Sequence, residues 1–339
     1  MEKKRVIVLG GTGSLGANIA IHLNNCGYDV IAVGHSRSDN GFYADYGIEY
    51  TTVDVCKAEE FNKLPTENVW AVLNFAGSLP GSMKGYDGSL YISSIVQGTY
   101  NVLEYCRRTK VDRVVFPQSL YDVHHLFGSK TPIPGEPTHV APLEGDHAMY
   151  VICKNAACDM IEHYYQVYGL KRFIFRLSRI YLYRPNPYTY TNGVKEMISD
   201  RFLIYRAMRG EDMEIWGDPD RLLETICVKD FLQIIEKAVC AEHDGGFYNV
   251  GSGGSTLRER IEAIVDVFSP EGKKCKISFR PEKRSAQQFV LDFSKTEKEL
   301  GYHPQYNFHD FLVDFKKDME TQPFAKLWGY ESDYVDNVK

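Results

Sequence analysis

The sequence predicts an α/β fold: a doubly wound parallel sheet with a smaller, irregular C-terminal lobe. Three observations predict it. Residues 5–16 read RVIVLGGTGSLG, a β-branched run followed by Gly10, Gly13 and Gly16, which open an apolar, helix-like stretch. Strand-like and helix-like patterns then alternate through the first half of the chain, as right-handed βαβ units require. Beyond residue 180 the regularity fades into shorter elements, punctuated by Pro185-Asn-Pro187, Gly217-Asp-Pro219 and Gly251-Ser-Gly-Gly254.

Taken in order, Val6, Ile7, Val8 and Leu9 suit a strand buried on both faces. The three glycines let backbone N–H groups and a helix N-terminus approach a pyrophosphate closely, where the helix dipole favours negative charge. Thr12, Ser14 and Leu15 complete that turn; a tight turn without a ligand is the alternative. Residues 28–33, 48–53, 69–75 and 113–117 read as the second to fifth strands, with a helix over 97–108. A loop rich in Pro and Gly covers 127–146, followed by a helix over 149–168 and a sixth strand over 172–177. Residues 230–239 are helical in pattern and 246–250 strand-like. A first domain over 1–180 is therefore expected to regain segments near 225–250, leaving 181–339 mainly to the second lobe. The aromatic tail, with Phe308, Phe311, Phe315, Trp328 and Tyr330, is expected to pack.

A hydrophobic content of 44% and a charged content of 25% are ordinary for a globular chain. The net charge of −6 gives no global attraction to nucleic acid or to an anionic membrane. Eight scattered cysteines lack CxxC or zinc-finger spacing and ten histidines lack HExxH, so no metal is expected. The cysteines read as reduced core residues. The N-terminal apolar run is too brief for a signal peptide, and no stretch has the ~20 apolar residues of a membrane span, which makes the cytoplasm the expected location.

The second strand ends at Val33 and is followed by Gly34-His35-Ser36-Arg37. An acidic residue at this point would bind a ribose 2′-OH. Here there is none: the glycine is expected to leave room, and Arg37, helped by His35 and Ser36, to pair with a 2′-phosphate. NADP is preferred to NAD on this ground, with a loop-capping Arg37 as the alternative. Asp54 and Val55, after the third strand, are placed to hold the adenine edge, or Asp54 to cap a helix. Phe75, Ala76 and Gly77, after the fourth, would let backbone pass close to the cofactor.

Tyr150 and Lys154 stand four residues apart on the expected helix, and so on one face. A lysine so placed can hold the nicotinamide ribose and lower the phenol pKa from about 10 toward working pH. The tyrosine could then protonate an alkoxide or take a hydroxyl proton. Ser119, at the end of the fifth strand, would hold the substrate oxygen beside it. Tyr183, Tyr188 and Tyr190, with Arg179 and Arg184, form an aromatic and basic cluster suited to a nucleobase and phosphates, or to packing. His124-His125 could face the cleft or solvent, His147 and Met149 could cap the helix, and Cys153 should point to the core.

At these residues the chain resembles an extended short-chain dehydrogenase/reductase of the NAD(P)-dependent epimerase/dehydratase family. The resemblance covers nearly the whole chain. It runs through Gly10-Gly-Thr-Gly-Ser-Leu-Gly16, Gln97-Gly-Thr-Tyr-Asn-Val-Leu-Glu104, Ser119, Tyr150 with Lys154, and Tyr168-Gly169. It continues through Arg176-Leu-Ser-Arg-Ile-Tyr181, Val228-Lys-Asp230, Tyr248-Asn-Val-Gly251 and Leu300-Gly-Tyr-His-Pro304. It implies a Rossmann domain, hydride transfer on a nucleotide-linked sugar, and a homodimer built on the helices containing 97–107 and 150–165. Four positions depart from the family pattern. Leu120-Tyr121 stand where dehydratases carry Asp-Glu, which argues against 4,6-dehydration; Ile95 replaces a frequent Asn; Tyr181-Leu-Tyr-Arg-Pro185 replaces YGP; and Leu223 replaces a phosphate-binding Arg, for which Arg221 or Arg284 could substitute.

The expected substrate contacts are Ser78, Ser119, Tyr121, Arg179, Tyr181 and Arg221. The leading expectation is an NAD(P)-dependent epimerase or ketoreductase acting on a nucleotide-activated sugar. A reductase or dehydrogenase of a smaller alcohol or ketone is the second reading, and a non-catalytic dinucleotide sensor the third.

Overall fold

The computed structural model describes residues 3–35, 38–135 and 140–335. Its first half follows the expected alternation: β1 (Arg5–Leu9), α1 (Ser14–Asn25), β2 (Asp29–Gly34), β3 (Glu49–Thr52) and β4 (Val69–Asn74). Then come α2 (Gly88–Tyr91), α3 (Gly98–Thr109), β5 (Arg113–Ser119), α4 (Ala148–Tyr168) and β6 (Lys171–Leu177). In the second half, β7 (Arg179–Tyr181), β8 (Tyr188–Thr191), β9 (Val194–Met197), α5 (Ser199–Met208) and β10 (Met213–Trp216) are short. After β11 (Leu222–Leu223) and β12 (Thr225–Cys227), α6 (Val228–Cys240) and β13 (Gly245–Val250) rejoin the first unit. The chain closes with β14 (Ser255–Thr256), α7 (Leu257–Phe268), β15 (Ile277–Arg280), α8 (Ser294–Leu300), α9 (Phe308–Thr321) and α10 (Ala325–Trp328).

Seven parallel strands form the main sheet in the order β13-β6-β5-β4-β1-β2-β3. The order reverses between β1 and β4, and ligands of such sheets bind at the carboxyl ends of the strands beside that switch point. The β-branched run of β1 fits its place: Val6 and Val8 join the core beneath α1 and α6, while Ile7 and Leu9 join the core beneath α3 and α4. The doubly wound α/β expectation holds, and the strand expected near 246–250 is the edge strand beside β6.

The expected helix over 97–108 is longer than its pattern. Asp87 accepts the Ser89 N–H at 2.9 Å and starts α2, which runs through a π-helical segment, Ile92–Gln97, into α3. Ile95, where an Asn was sought, is 1% exposed and packs in the core.

The second lobe has its own core, in which Tyr181, Tyr183, Ile215, Phe268, Phe311 and Phe315 pack together. The aromatic tail packs as expected except for Tyr330, which is exposed. Its last helix returns to the first unit: Phe324 meets Phe42 at 5.5 Å, Lys326 pairs with Asp45, and Trp328 Nε1 donates to the Thr12 carbonyl at 2.9 Å. Among the described residues, no helix is long and apolar enough to cross a membrane.

Candidate active site

A cleft of about 810 Å³ lies at the carboxyl ends of the strands. Its floor is the glycine turn. Gly10 has φ +81°, and a Cβ there would lie 2.6 Å from the Phe75 carbonyl oxygen. A Cβ on Gly16 would overlap the Gly10 carbonyl, so α1 can approach β1 only with glycine at that position. Gly13 N-caps α1 without any side-chain hydrogen bond, so the first-turn N–H groups carry no internal cap. Open donors at a helix N-terminus, beside backbone with no Cβ in the way, fit a dinucleotide pyrophosphate.

Most of the expected site residues converge here. The turn contributes Gly10, Thr12, Gly13, Ser14, Leu15 and Gly16; the ends of β2 and β3 contribute His35, Asp54 and Val55. Phe75, Ala76, Gly77 and Ser78 follow β4, and Ser119 and Tyr121 follow β5. Tyr150 and Lys154 face the cleft from α4, and Arg179 stands beyond β6. Ser36 and Arg37 lie outside the described residues. Gly34 corrects one expectation. The room above it is taken by the Tyr50 hydroxyl and by Thr12 Cγ2, the latter 2.7 Å from an ideal Cβ, so this glycine accommodates protein side chains. Asp54 lines the cleft while its carboxylate accepts the Cys56 N–H at 3.1 Å and pairs with Lys57. Burial alone would raise its carboxyl, but these bonds prevail and hold it below the usual carboxylate range.

At the other end, Lys154 Nζ donates to the Pro117 carbonyl at 2.7 Å and sits 4.3 Å over the Phe116 ring. Burial pushes the ammonium down to about 8. Tyr150 meets Tyr91 edge-on at 5.7 Å, and burial pushes its phenol up. This reverses the expected lowering by lysine. Lys154 turns toward the Pro117 carbonyl, 5.8 Å from the Tyr150 ring centroid, and desolvation dominates.

Ser119 is held from two sides. Its N–H donates to Gln118 Oε1 at 2.6 Å, and its Oγ accepts the Tyr121 N–H at 3.2 Å. Gln118 is anchored in turn by Asn155 on α4, at 2.9 Å. The Tyr121 ring stacks on His147 at 4.0 Å, and His147 Nδ1 lies 2.6 Å from Asp146. The first carboxylate after Ser119, Asp122, is fully buried and grips Arg176 through hydrogen bonds of 2.8 to 3.0 Å. It points away from the cleft. His124 stacks on Tyr121 and His125 is exposed, while Cys153 points into the core as expected.

Two expected substrate contacts do not reach this cleft. Arg221 is buried and donates to Ser285 Oγ. Tyr181 is buried in the second core, its hydroxyl between Asp200 and Arg260, and it lines an adjoining pocket of about 390 Å³ instead. The two spaces meet at Ser14, Leu15, Leu177, Ser178 and Arg179. Tyr183 is packing rather than a nucleobase platform: it is 3% exposed and donates to Glu331 at 2.8 Å.

The sequence reading missed other lining residues. Phe289 stacks on Phe127 at 4.8 Å and forms an apolar wall; it lies 170 positions beyond Ser119, where no spacing rule reaches. Ser94 accepts the Ser78 N–H at 3.0 Å from the π-helical segment, a distortion without a sequence signature.

Residues 6–251 match the model of the NAD dependent epimerase/dehydratase family. A protein of Methanocaldococcus jannaschii provisionally assigned as UDP-glucose 4-epimerase is 25% identical over 310 residues, 88% of this chain and 93% of its own. A dTDP-glucose 4,6-dehydratase of Xanthomonas campestris is 24% identical over 333 residues, 91% of this chain and 90% of that one. The UDP-N-acetylglucosamine 4-epimerase of Methanobrevibacter ruminantium, solved with UDP-N-acetylmuramic acid, matches with a TM-score of 0.73 at 18% identity. That match covers 95% of this chain and 100% of that one, and it shows the fold.

Proposed function

Because the chain belongs to the NAD-dependent epimerase/dehydratase family, we propose that it moves hydride at a carbon of a nucleotide-activated sugar, as an epimerase or a ketoreductase. The observation that carries this reading is one cleft joining the uncapped glycine turn to Ser119, Tyr150 and Lys154. A bound nicotinamide supplies the hydride donor or acceptor. Tyr150, its phenol pushed further up by burial, carries its proton and is suited to give it to a developing alkoxide. In the opposite direction its phenolate must accept a proton, and Lys154 would have to leave the Pro117 carbonyl to favour that phenolate. Ser119 Oγ holds the reacting oxygen. Arg179, where the two spaces meet, is the candidate diphosphate contact, with the adjoining pocket left for the nucleoside. Elimination of water is disfavoured, since Leu120 and Tyr121 carry no carboxylate and Asp122 is engaged by Arg176.

Tyr150→Phe should cut turnover by about 10²–10⁴ while cofactor stays bound; undiminished turnover would refute the assignment. A thermal-shift screen of UDP-, GDP-, CDP- and dTDP-sugars with the cofactor present should single out one base. The apolar Phe127–Phe289 wall and the diverted Arg221 favour a second reading, a smaller alcohol or ketone, which a screen without any shift would support.

The absence of an acid in Gly34-His35 and the nearby Arg37 support a preference for NADP. Arg37→Ala should weaken NADPH by at least about tenfold and leave NADH unchanged; equal effects on both would remove that preference. We also infer a cytoplasmic homodimer on α3 and α4, supported by exposed Tyr100, Ile152, Val167 and Tyr168. Light scattering that gives a monomer mass would refute the dimer.

A further inference from the structure

The last turns of α1 and α6 face each other at the end of α1 opposite the glycine turn, about 18 Å along a twelve-residue helix. His22 lies on α1 and Cys26, four residues on, is its C-cap; Glu236 and Cys240 lie four residues apart on α6. Each pair therefore projects from one face of its helix. His22 Nε2 is 3.2 Å from Glu236 Oε2 and 3.6 Å from Cys26 Sγ. The three ligand atoms all lie within 4.8 Å of one another.

We propose that His22, Cys26 and Glu236 form a site for a soft divalent cation, zinc foremost, with the Cys240 thiol turning in as the fourth ligand. Tetrahedral zinc, with bonds of about 2.0 Å to nitrogen and oxygen and about 2.3 Å to sulfur, sets N and O about 3.3 Å apart and N and S about 3.5 Å apart. The protein already holds His22 Nε2 close to those separations from Glu236 Oε2 and from Cys26 Sγ. Imidazole, thiolate and carboxylate are zinc donors, and the sulfur disfavours magnesium and calcium. Both helices end here, so the negative ends of two helix dipoles converge beside a carboxylate, an arrangement that a cation relieves. An exposed His–Glu pair contributes little stability by itself.

Cys240 stands one turn beyond Glu236, and its thiol donates to the Lys237 carbonyl at 3.5 Å. Rotation about its side chain would exchange that weak bond for the metal. Burial, then Glu236 and Cys240, push the Cys26 thiol up to about 11, so it carries its proton at neutral pH. Binding therefore releases that proton to solvent as the Cys26 S–metal bond forms, and a second when Cys240 joins; nothing is oxidised or reduced. The resulting clamp ties the first helix of the chain to the helix that returns from the second lobe. It shares no residue with the cleft, so it stands or falls independently of the hydride-transfer reading.

The test uses the full-length protein, reduced, stripped with a chelator and desalted, then titrated with Zn²⁺ and, for spectroscopy, with Co²⁺. One ion per chain is expected, with thiolate charge-transfer bands, intense tetrahedral d–d bands in the cobalt form, and a thermal shift on adding zinc. Cys26→Ser and His22→Gln, both at the protein surface, should each weaken binding by at least about 100-fold and abolish the shift. Cys240→Ser should weaken binding about tenfold while the cobalt bands persist. Absence of stoichiometric binding, or binding unchanged in Cys26→Ser and His22→Gln, would overturn the site. Unchanged affinity in Cys240→Ser would overturn the fourth ligand.

Discussion

Lys154 is 4% exposed, yet the cleft chemistry asks it to carry a charge. Burial pushes its ammonium from the ordinary 10.5 down to about 8, a gap worth about 3 kcal/mol. The folded value lies below the unfolded one. Below pH 8 both states are protonated and the whole cost is present. Between about 8 and 10.5 the unfolded chain binds the additional proton, so stability rises with pH. Lys154→Met removes the ammonium and keeps most of the side-chain volume. It also loses the bond to the Pro117 carbonyl, worth about 1–2 kcal/mol. The variant should therefore be more stable than the native protein by about 1–2 kcal/mol at pH 7, and that advantage should vanish or reverse by pH 10. Urea unfolding of both proteins across pH 7–10 measures this, and all other groups cancel in the difference. A difference independent of pH, or a variant destabilised by more than about 1 kcal/mol at pH 7, would refute the reasoning.

Three further outcomes are expected. Gly16→Ala forces a methyl into the Gly10 carbonyl, which is backbone and cannot swing aside. It should cost about 2–3 kcal/mol and abolish cofactor binding by calorimetry. Arg176→Met takes the guanidinium from the fully buried Asp122 carboxylate and should cost about 3–5 kcal/mol in urea unfolding. Trp328→Phe removes the donor to the Thr12 carbonyl and should weaken cofactor binding by less than about tenfold, read by fluorescence titration.

The cofactor half of the cleft was legible because its chemistry is local. A buried strand, a glycine-rich turn and a helix start follow one another within twelve residues, and Tyr150 and Lys154 are one helical turn apart. Where local pattern required a three-dimensional reference, the reading failed. Gly34 looked like space for a phosphate, but the Tyr50 hydroxyl reaches over from β3 to fill it. The charge of Lys154 suggested a lowered Tyr150 phenol, but burial controls that group, and how deeply a side chain is buried is not written in its spacing. The π-helical turn that brings Ser94 to Ser78 has no periodicity to betray it. The cation site proposed above draws His22 and Cys26 together with Glu236 across more than 200 positions, a separation that spacing within one segment does not address.

The bond from Trp328 to Thr12 joins residues 316 positions apart. A ribosome delivers the glycine turn well before the indole that braces it. The sheet cannot be completed until β13 appears, nor the turn braced until α10 has emerged. A growing chain therefore carries its glycine turn without this brace until Trp328 has been added. The support of the turn therefore depends on a segment made 316 residues after it.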